Sequence, residues 1–166
     1  LRESQETSTK EYANDIKSAG KTLLSLINDI LDFSKMESGK MEIHPMKYRT
    51  ASLVSDCYSM VSMNASEKNL DFVVEVDENI PTSLVGDEVR VRQIIVNLLT
   101  NAVKYTKEGS ITFRVGGKYI DNENFELKID VIDTGIGIKK ENLKSLFDLF
   151  ARFDARKNSS VEGSGL

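Results

Sequence analysis

The stretch SITFRVGGKYIDNENFELKIDVID, residues 110–133, decides the fold class. Residues 110–120 and 125–133 are both rich in β-branched and aromatic side chains, and only the four residues DNEN, 121–124, separate them. Two strands with so short a connection run antiparallel, because a parallel pair needs a long crossover. The stretch therefore predicts a β-hairpin, in a sheet that is mixed or antiparallel.

Helices and strands alternate upstream of this hairpin. The patterns predict, in chain order, a helix over 8–37, a strand over 41–48, a helix over 50–66, a strand over 70–76, a loop at Pro81 and a helix over 87–106. A short helix is expected after the hairpin. Helices segregated over such a sheet form an α+β fold, a two-layer α/β sandwich, which explains this order better than a doubly wound parallel sheet.

The composition is that of an ordinary globular protein. The chain has 166 residues, a net charge of −4, 40% hydrophobic and 29% charged residues, which suits one domain with one additional element. The acidic balance argues against a nucleic-acid binder, because such proteins carry basic patches. Cys57 is the single cysteine, which fits a reducing compartment. No apolar run approaches the roughly 20 residues of a membrane helix. We therefore expect a cytoplasmic chain without membrane contact, whose intact parent could still be membrane-anchored.

The first predicted helix carries a regular apolar stripe. Ile16, Leu23 and Ile30 are spaced seven residues apart, and Ile27 lies between them. Such a stripe is typical of dimerising or bundled helices, although an ordinary core helix shows the same spacing. Gly39 is suited to end the helix. We expect this helix to form a homodimer in the intact protein.

The other two helices have apolar sides that predict core contacts. In the helix over 50–66 the recurring apolar residues are Leu53, Val54, Cys57, Met60 and Val61. In the helix that ends near residue 106 they are Val91, Ile95, Leu98 and Ala102.

A polar stripe on that last helix suits a magnesium-bound polyphosphate. Asn97, Asn101 and Lys104 follow at steps of four and three, so their side chains project together. A solvated face is the commoner origin of such a stripe. However, asparagine is a poor helix former, so two of them one turn apart indicate a compensating role. Amide oxygens suit Mg²⁺, and the lysine could neutralise a phosphate oxygen.

The hairpin ends in VIDTGIGI, residues 131–138, where a carboxylate precedes two glycines among apolar residues. A carboxylate buried there would need hydrogen bonds. Asp133 could accept one from the exocyclic amino group of adenine, while Gly135 and Gly137 let the backbone approach the ring. An aspartate that caps a turn is the commoner explanation. The third glycine of a GxGxxG motif is missing, and no Walker A loop occurs in the sequence.

Several segments together resemble a known family. NLLTNAVKYT (97–106), DTGIGI (133–138), FDLFARF (147–153) and GSGL (163–166) resemble, in order, the N, G1, F and G2 boxes of the sensor histidine kinases of two-component signalling. These kinases belong to the Bergerat-fold ATPases. Residues 23–43 resemble the second dimerisation helix and its linker, especially as in hybrid kinases. The resemblance covers essentially the whole chain.

The resemblance implies a site for ATP and Mg²⁺. Asn101 would hold Mg²⁺ with Asn97 assisting, Lys104 would contact phosphate, and Asp133 would read the adenine amino group. Asn101 and Lys104 are thereby the catalytic candidates. Further nucleotide contacts implied by the resemblance are Tyr105, Gly135, Gly137, Ile138, Arg152, Gly163 and Gly165. Core packing explains Tyr105 equally well. An ordinary surface position explains Arg152 equally well. Phe147, Phe150 and Phe153 would anchor an ATP lid over residues 154–165.

The implied activity is that of a protein-histidine kinase. The γ-phosphoryl group of Mg-ATP would pass to a histidine, and then to an aspartate on a response-regulator receiver domain. In the hydrolysing gyrase, chaperone and mismatch-repair branch of the fold, a glutamate stands one turn before the metal asparagine. Asn97 occupies that position here, and an amide cannot act as a base at neutral pH. Two alternatives stay open, a nucleotide-binding scaffold without kinase activity and a hydrolysing ATPase.

The chain departs from the family at both ends. The single histidine, His44, lies in EIHPM, outside any motif resembling HExRTP, and is expected on a surface strand. The acceptor helix is expected upstream, so this chain by itself would not be autophosphorylated. The family continues beyond the G2 box. We expect a partial dimerisation and histidine-phosphotransfer region over 1–40, containing the second helix only, and an ATP-binding catalytic domain over 41–166, truncated after the G2 box.

Overall fold

A computed structural model of the protein describes residues 2–145. The described residues divide into two compact units, one containing residues 2–42 with 140–145, the other residues 43–139. Within the described range, none of the helices combines the length and apolar character that crossing a membrane requires.

The first unit contains one long helix, α1 (Arg2–Glu37), and a short 3₁₀ helix, Lys140–Ser145. The exposed large apolar side chains of α1 among those described are Tyr12, Ile16, Leu23, Leu24, Ile27, Ile30, Leu31 and Met36. Beyond the end of α1, Gly39 has a φ of 65°. The Lys40 N–H donates to the Lys35 carbonyl at 2.9 Å and the Gly39 N–H to the Met36 carbonyl at 3.0 Å. This is a Schellman motif, and it confirms the role predicted for Gly39.

The second unit contains two helices and five strands. In chain order they are β1 (Met46–Arg49), α2 (Thr50–Glu67), β2 (Asp71–Val76), β3 (Ser83–Gly86), α3 (Glu88–Tyr105), β4 (Ser110–Tyr119) and β5 (Phe125–Asp133). One sheet has the order β2-β4-β5, in which β2 is parallel and β5 antiparallel to β4. A second, two-stranded sheet pairs β1 antiparallel to β3.

The predicted hairpin is formed by β4 and β5. Tyr119 pairs with Phe125 at the turn end, and Ile111 pairs with Asp133 at the open end. Within the turn, Asp121 Oδ1 accepts hydrogen bonds from the backbone N–H of Asn124 at 2.7 Å and of Glu123 at 2.8 Å. Hydrogen bonds from the Asn124 side chain and from these backbone groups lower the pKa of Asp121, so the charged carboxylate stabilises the turn.

The core lies between the two helices and one face of the three-stranded sheet. Its buried members on α2 are Leu53, Val54, Cys57, Val61 and Ala65, on α3 Ile95, Leu99, Ala102 and Val103, and on β4 Ile111, Phe113 and Val115. Burial raises the pKa of Cys57 to about 11, so this thiol is neutral at physiological pH and packs as a small apolar group. The predicted two-layer α+β fold is confirmed.

The structure corrects several details of the predicted pattern, the first of which is that helix α1 begins at Arg2 and not at residue 8. The segment after Pro81 contains a strand, β3, which pairs with β1. The sequence did not predict it, because four residues are too few to show the alternation of a strand. The first strand begins at Met46, so His44 is exposed but precedes the strand. Met60 and Leu98 are exposed, and Ala65 and Leu99 take the core positions instead. Leu98 and Leu99 are adjacent, and spacing alone chose the wrong one.

Candidate functional site

Helix α3 carries the predicted polar stripe on its exposed side. Asn97 and Asn101 are exposed and Lys104 is half-buried, whereas Ile95 and Leu99 on the opposite side are buried. The i, i+4, i+7 spacing and the buried opposite face together fix the direction in which the three polar side chains project. The core therefore sets the orientation of the stripe.

The amino end of α3 is held by Asp87. Its Oδ1 accepts a hydrogen bond from the Arg90 N–H at 3.1 Å, as an N-cap does, and its Oδ2 accepts one from the His44 N–H at 3.0 Å. These two backbone hydrogen bonds, that of His44 first, lower the pKa of Asp87.

The carboxyl end of α3 is held by Lys68, which follows α2. Lys68 Nζ donates to the carbonyls of Val103 at 2.7 Å and Lys104 at 3.2 Å. These carbonyls belong to the last turn of α3, where backbone acceptors lack partners within the helix and a cation is favoured. Lys68 was not among the predicted residues. No local pattern marks it, because the contact joins residues 35 and 36 positions apart.

Lys104 and Tyr105 place a charge and a ring at this end of the helix. Lys104 Nζ lies 5.0 Å from the centroid of the Tyr105 ring, within the range of a cation–π contact. The Tyr105 side chain is 37% exposed, so the ring is not a core residue and is accessible to a ligand.

Asp133 ends β5 and begins a tight turn. The Gly135 N–H donates to Asp133 Oδ1 at 2.9 Å. Asp133 therefore caps a turn, which is the commoner of the two roles considered for it from the sequence. Asp133 is exposed and not buried among its apolar neighbours. Since this is the one hydrogen bond to the carboxylate within residues 2–145, Oδ2 can accept a hydrogen bond from a ligand.

The turn after Asp133 packs directly against the end of α3. The Ile136 N–H donates to the Tyr105 carbonyl at 3.3 Å. A Cβ at Gly135 would lie 2.6 Å from that carbonyl oxygen, 2.8 Å from Asp133 Oδ1 and 2.9 Å from Thr106 Oγ1. Only glycine permits so close an approach. The structure thereby packs the Asp133 turn against Tyr105 and Thr106, at the end of the helix that carries the predicted stripe.

The remaining turn residues are fixed by neighbouring strands. The Ser110 N–H donates to Thr134 Oγ1 at 3.0 Å, and the Thr134 N–H to the Ser110 carbonyl at 3.1 Å. Gly137 has a φ of +66°, a conformation that L side chains rarely adopt. The side chain of Ile138 is exposed. The other predicted residues, Arg152, Gly163 and Gly165, and the lid anchors Phe147, Phe150 and Phe153, lie outside the described residues.

Comparisons with known proteins identify the family of this chain. Residues 86–166 match the family described as histidine kinase-, DNA gyrase B- and HSP90-like ATPase. Residues 1–39 match the His Kinase A (phospho-acceptor) domain. The chain belongs to the sensor histidine kinases. The resemblance of the four boxes is thus confirmed.

Relatives of this histidine kinase chain include full-length signalling proteins. Hybrid signal transduction histidine kinase B of Dictyostelium discoideum is 41% identical over 161 residues, which are 97% of this chain and 8% of that protein. Sensor histidine kinase GacS of Pseudomonas protegens is 35% identical over 156 residues, 94% of this chain and 17% of that protein. A crystal structure of full-length ShkA in complex with AMPPNP has a TM-score of 0.75 at 29% identity, covering 95% of this chain and 31% of that one. The chain thus spans less than a third of each of these proteins.

The exposed groups of this kinase chain fit a magnesium nucleotide. The two α3 amides offer neutral oxygens at Asn97 and Asn101, and neither makes a hydrogen bond within the part of the chain that the structure describes. Mg²⁺ takes such oxygens together with phosphate and water. Lys104 adds a positive charge one turn further on, and Asp133 Oδ2 supplies an acceptor at the other end. The donor set suits a ligand with phosphates at one end and a base amino group at the other.

Proposed function

We propose that this chain binds Mg-ATP and presents its γ-phosphoryl group to a histidine, from which an aspartate of a response-regulator receiver domain takes it. The observation that carries the proposal is the close approach of Gly135 to Tyr105 and Thr106. This approach places the Asp133 carboxylate, which can accept a hydrogen bond from a base, beside the end of α3, where Lys104 can neutralise a phosphate oxygen. ATP binding is the general role of the matched family.

Each side chain has a separate task in this proposal. Asn101, assisted by Asn97, holds the metal ion, and Lys104 neutralises a phosphate oxygen. Asp133 Oδ2 accepts a hydrogen bond from the adenine amino group. Tyr105, Ile138 and the backbone at Gly135 and Gly137 would line the pocket. Arg152, Gly163 and Gly165 are proposed as phosphate contacts on their motif positions alone. The metal ion would supply charge neutralisation between the phosphates.

Asn97 favours transfer over hydrolysis. A hydrolysing site needs a base that takes a proton from water, and a carboxamide does not do so at neutral pH. Catalysis in the proposed reaction consists of positioning and charge stabilisation, for which amides, a lysine and backbone N–H groups suffice. We therefore expect little phosphate release in the absence of a histidine acceptor.

We further propose that residues 1–40 belong to the dimerisation and histidine-phosphotransfer region, and residues 41–166 to the ATP-binding catalytic domain. Residues 1–39, which match the phospho-acceptor family, contain no histidine, so the acceptor would be a histidine outside this chain's sequence. The exposed apolar stripe of α1, including Ile16, Leu23 and Ile27, would pair with a second copy in the intact protein.

Calorimetry with Mg-ADP tests the binding site. Asn101→Ala and Asp133→Ala should each raise the Kd at least tenfold, which is about 1.4 kcal/mol. Asn64→Ala, an exposed asparagine within α2, and Asp71→Ala, an exposed aspartate at the start of β2, are the matched controls and should leave the Kd unchanged. Wild-type affinity in both site variants would contradict the site assignment.

Labelling tests the reaction. The complete reading frame that encodes this chain, incubated with γ-labelled ATP, should yield an acid-labile and base-stable phosphoprotein. Binding of nucleotide without any label would support the scaffold alternative. Steady release of phosphate without a labelled protein would support a hydrolysing ATPase.

A further inference from the structure

Thr106 carries a buried hydroxyl group that the proposed function has not used. The residue follows α3 directly, its side chain is 0% exposed, and Oγ1 has no hydrogen-bond partner among residues 2–145. A buried hydroxyl left unpaired destabilises the folded protein, because it has lost its hydrogen bonds to water. Valine has the same shape without this cost, so the hydroxyl requires an explanation.

The position of the Thr106 hydroxyl suggests a reason for its presence. Three oxygens surround Gly135: the Tyr105 carbonyl oxygen, Asp133 Oδ1 and Thr106 Oγ1 lie 2.6, 2.8 and 2.9 Å from the point where a Cβ would be. A carbonyl and an ionised carboxylate only accept hydrogen bonds, whereas a hydroxyl also donates. The Thr106 hydroxyl is therefore the one group of the three that can donate, and the absence of a Cβ at Gly135 leaves space between the three oxygens.

We propose that Thr106 is a positioning residue for adenine recognition, resting on the proposed function above. When nucleotide binds, its O–H donates to the Asp133 carboxylate. Together with the Gly135 N–H this fixes the carboxylate plane, so that Oδ2 faces the amino group of the base. A hydroxyl-to-carboxylate hydrogen bond is charge-assisted and stronger than a neutral one. Such contacts are often long in the ligand-free protein and tighten on binding.

A purely structural role for Thr106 makes a different prediction. The residue has φ −98° and ψ 123°, an extended conformation in which β-branched residues are favoured. If only shape and branching matter, Val is at least as good as Thr. If the hydroxyl positions Asp133, Val preserves stability and loses base selectivity.

The test compares Mg-ADP with Mg-IDP, because inosine lacks the amino group that Asp133 is proposed to read. In the protein expressed from its complete reading frame, calorimetry gives Kd for both nucleotides, and thermal unfolding gives Tm. Thr106→Val should raise the Kd for ADP about tenfold, change the Kd for IDP much less, and leave Tm equal or higher. Thr106→Ser should keep the wild-type preference. If Thr106→Val does not fold, the Thr106→Ser and Thr106→Ala pair makes the same comparison, with Ser retaining and Ala losing the preference.

Two outcomes would overturn the inference. One is a wild-type ADP-to-IDP preference in Thr106→Val; the other is an equal loss for both nucleotides together with a lower Tm. Asp133→Ala separates this inference from the proposed function. If Asp133→Ala abolishes the preference and Thr106→Val does not, only the role of Thr106 is wrong. If Asp133→Ala binds ADP like the wild type, the adenine site itself is wrong, and the role of Thr106 with it.

Discussion

Helices α1 and α3 are both amphipathic, but only α3 has its apolar side covered. Ile95 on α3 is 1% exposed, whereas Ile30 on α1 is 51% exposed. The apolar side of α3 packs on α2 and the three-stranded sheet. That of α1 has no cover of similar extent within the described part of the chain. Spacing along a helix therefore predicts which side is apolar, but what lies against that side depends on the rest of the fold or on a partner.

The largest effect is expected from a matched pair of isoleucines. Ile95→Ala should lower the free energy of unfolding by about 2–5 kcal/mol, because it leaves a cavity in the core. Ile30→Ala should change it by less than about 0.5 kcal/mol in dilute protein. Urea unfolding measures both. Equal losses would show that α1 is buried as deeply as α3, and would remove the contrast between the helices.

A charge in the α1 stripe tests whether a second copy covers it. Ile27→Lys should weaken self-association at least tenfold, because a lysine placed in an apolar helix seam loses its hydration. Asn28→Lys, at the adjacent exposed position, adds the same charge beside the stripe and should associate nearly as the wild type does. Sedimentation velocity over a range of concentrations measures the difference. If the two lysine variants associate alike, the stripe is not the dimer seam.

The ends of the same helices show how much could be predicted from the sequence. Gly39 was predicted to end α1, and it does so through contacts with residues three to five positions away. The end of α3 depends on Lys68, a residue brought there by the packing of α2. Local signals of this kind also gave the hairpin and most element bounds. Strand β3 was missed because its only signal is its pairing with β1.

The same distinction between local signals and long-range contacts applies to the candidate site. The Asn97, Asn101 and Lys104 stripe follows from helical spacing, and Asp133 with its glycines follows from a motif within one turn. Their proximity, and the buried hydroxyl of Thr106, result from the packing of a turn against a helix end that is 27 or more residues away in sequence. No periodicity in a single sequence reports such a contact.

Removal of Lys68 should loosen the end of α3 by a smaller amount. Lys68→Met keeps the aliphatic stem but loses both hydrogen bonds to the Val103 and Lys104 carbonyls, at a cost of about 1 kcal/mol. Hydrogen exchange of the Thr106 amide, which donates to the Ala102 carbonyl at 3.0 Å, should accelerate more than exchange in the β4–β5 hairpin. Lys118→Met, which removes an exposed ion pair with Glu126, is the matched control and should not affect the Thr106 amide. Unchanged exchange in Lys68→Met would show that α3 ends without this support.

The smallest effect concerns the other end of α3 and depends on pH. Backbone hydrogen bonds from His44 and Arg90 hold the folded-state pKa of Asp87 below the ordinary value of an aspartate. The stability that they contribute is therefore present above the unfolded pKa and is lost as the pH falls through the folded pKa. Asp87→Ala should therefore have a lower Tm than the wild type at pH 7, by a margin that shrinks as the pH falls below the unfolded pKa and through the lowered folded pKa. Asp87→Asn keeps a capping oxygen but does not titrate, so its difference from Asp87→Ala should stay constant with pH. If the difference in Tm between the wild type and Asp87→Ala is also constant with pH, the cap acts through its shape alone. The carboxylate charge would then contribute nothing to this end of the helix.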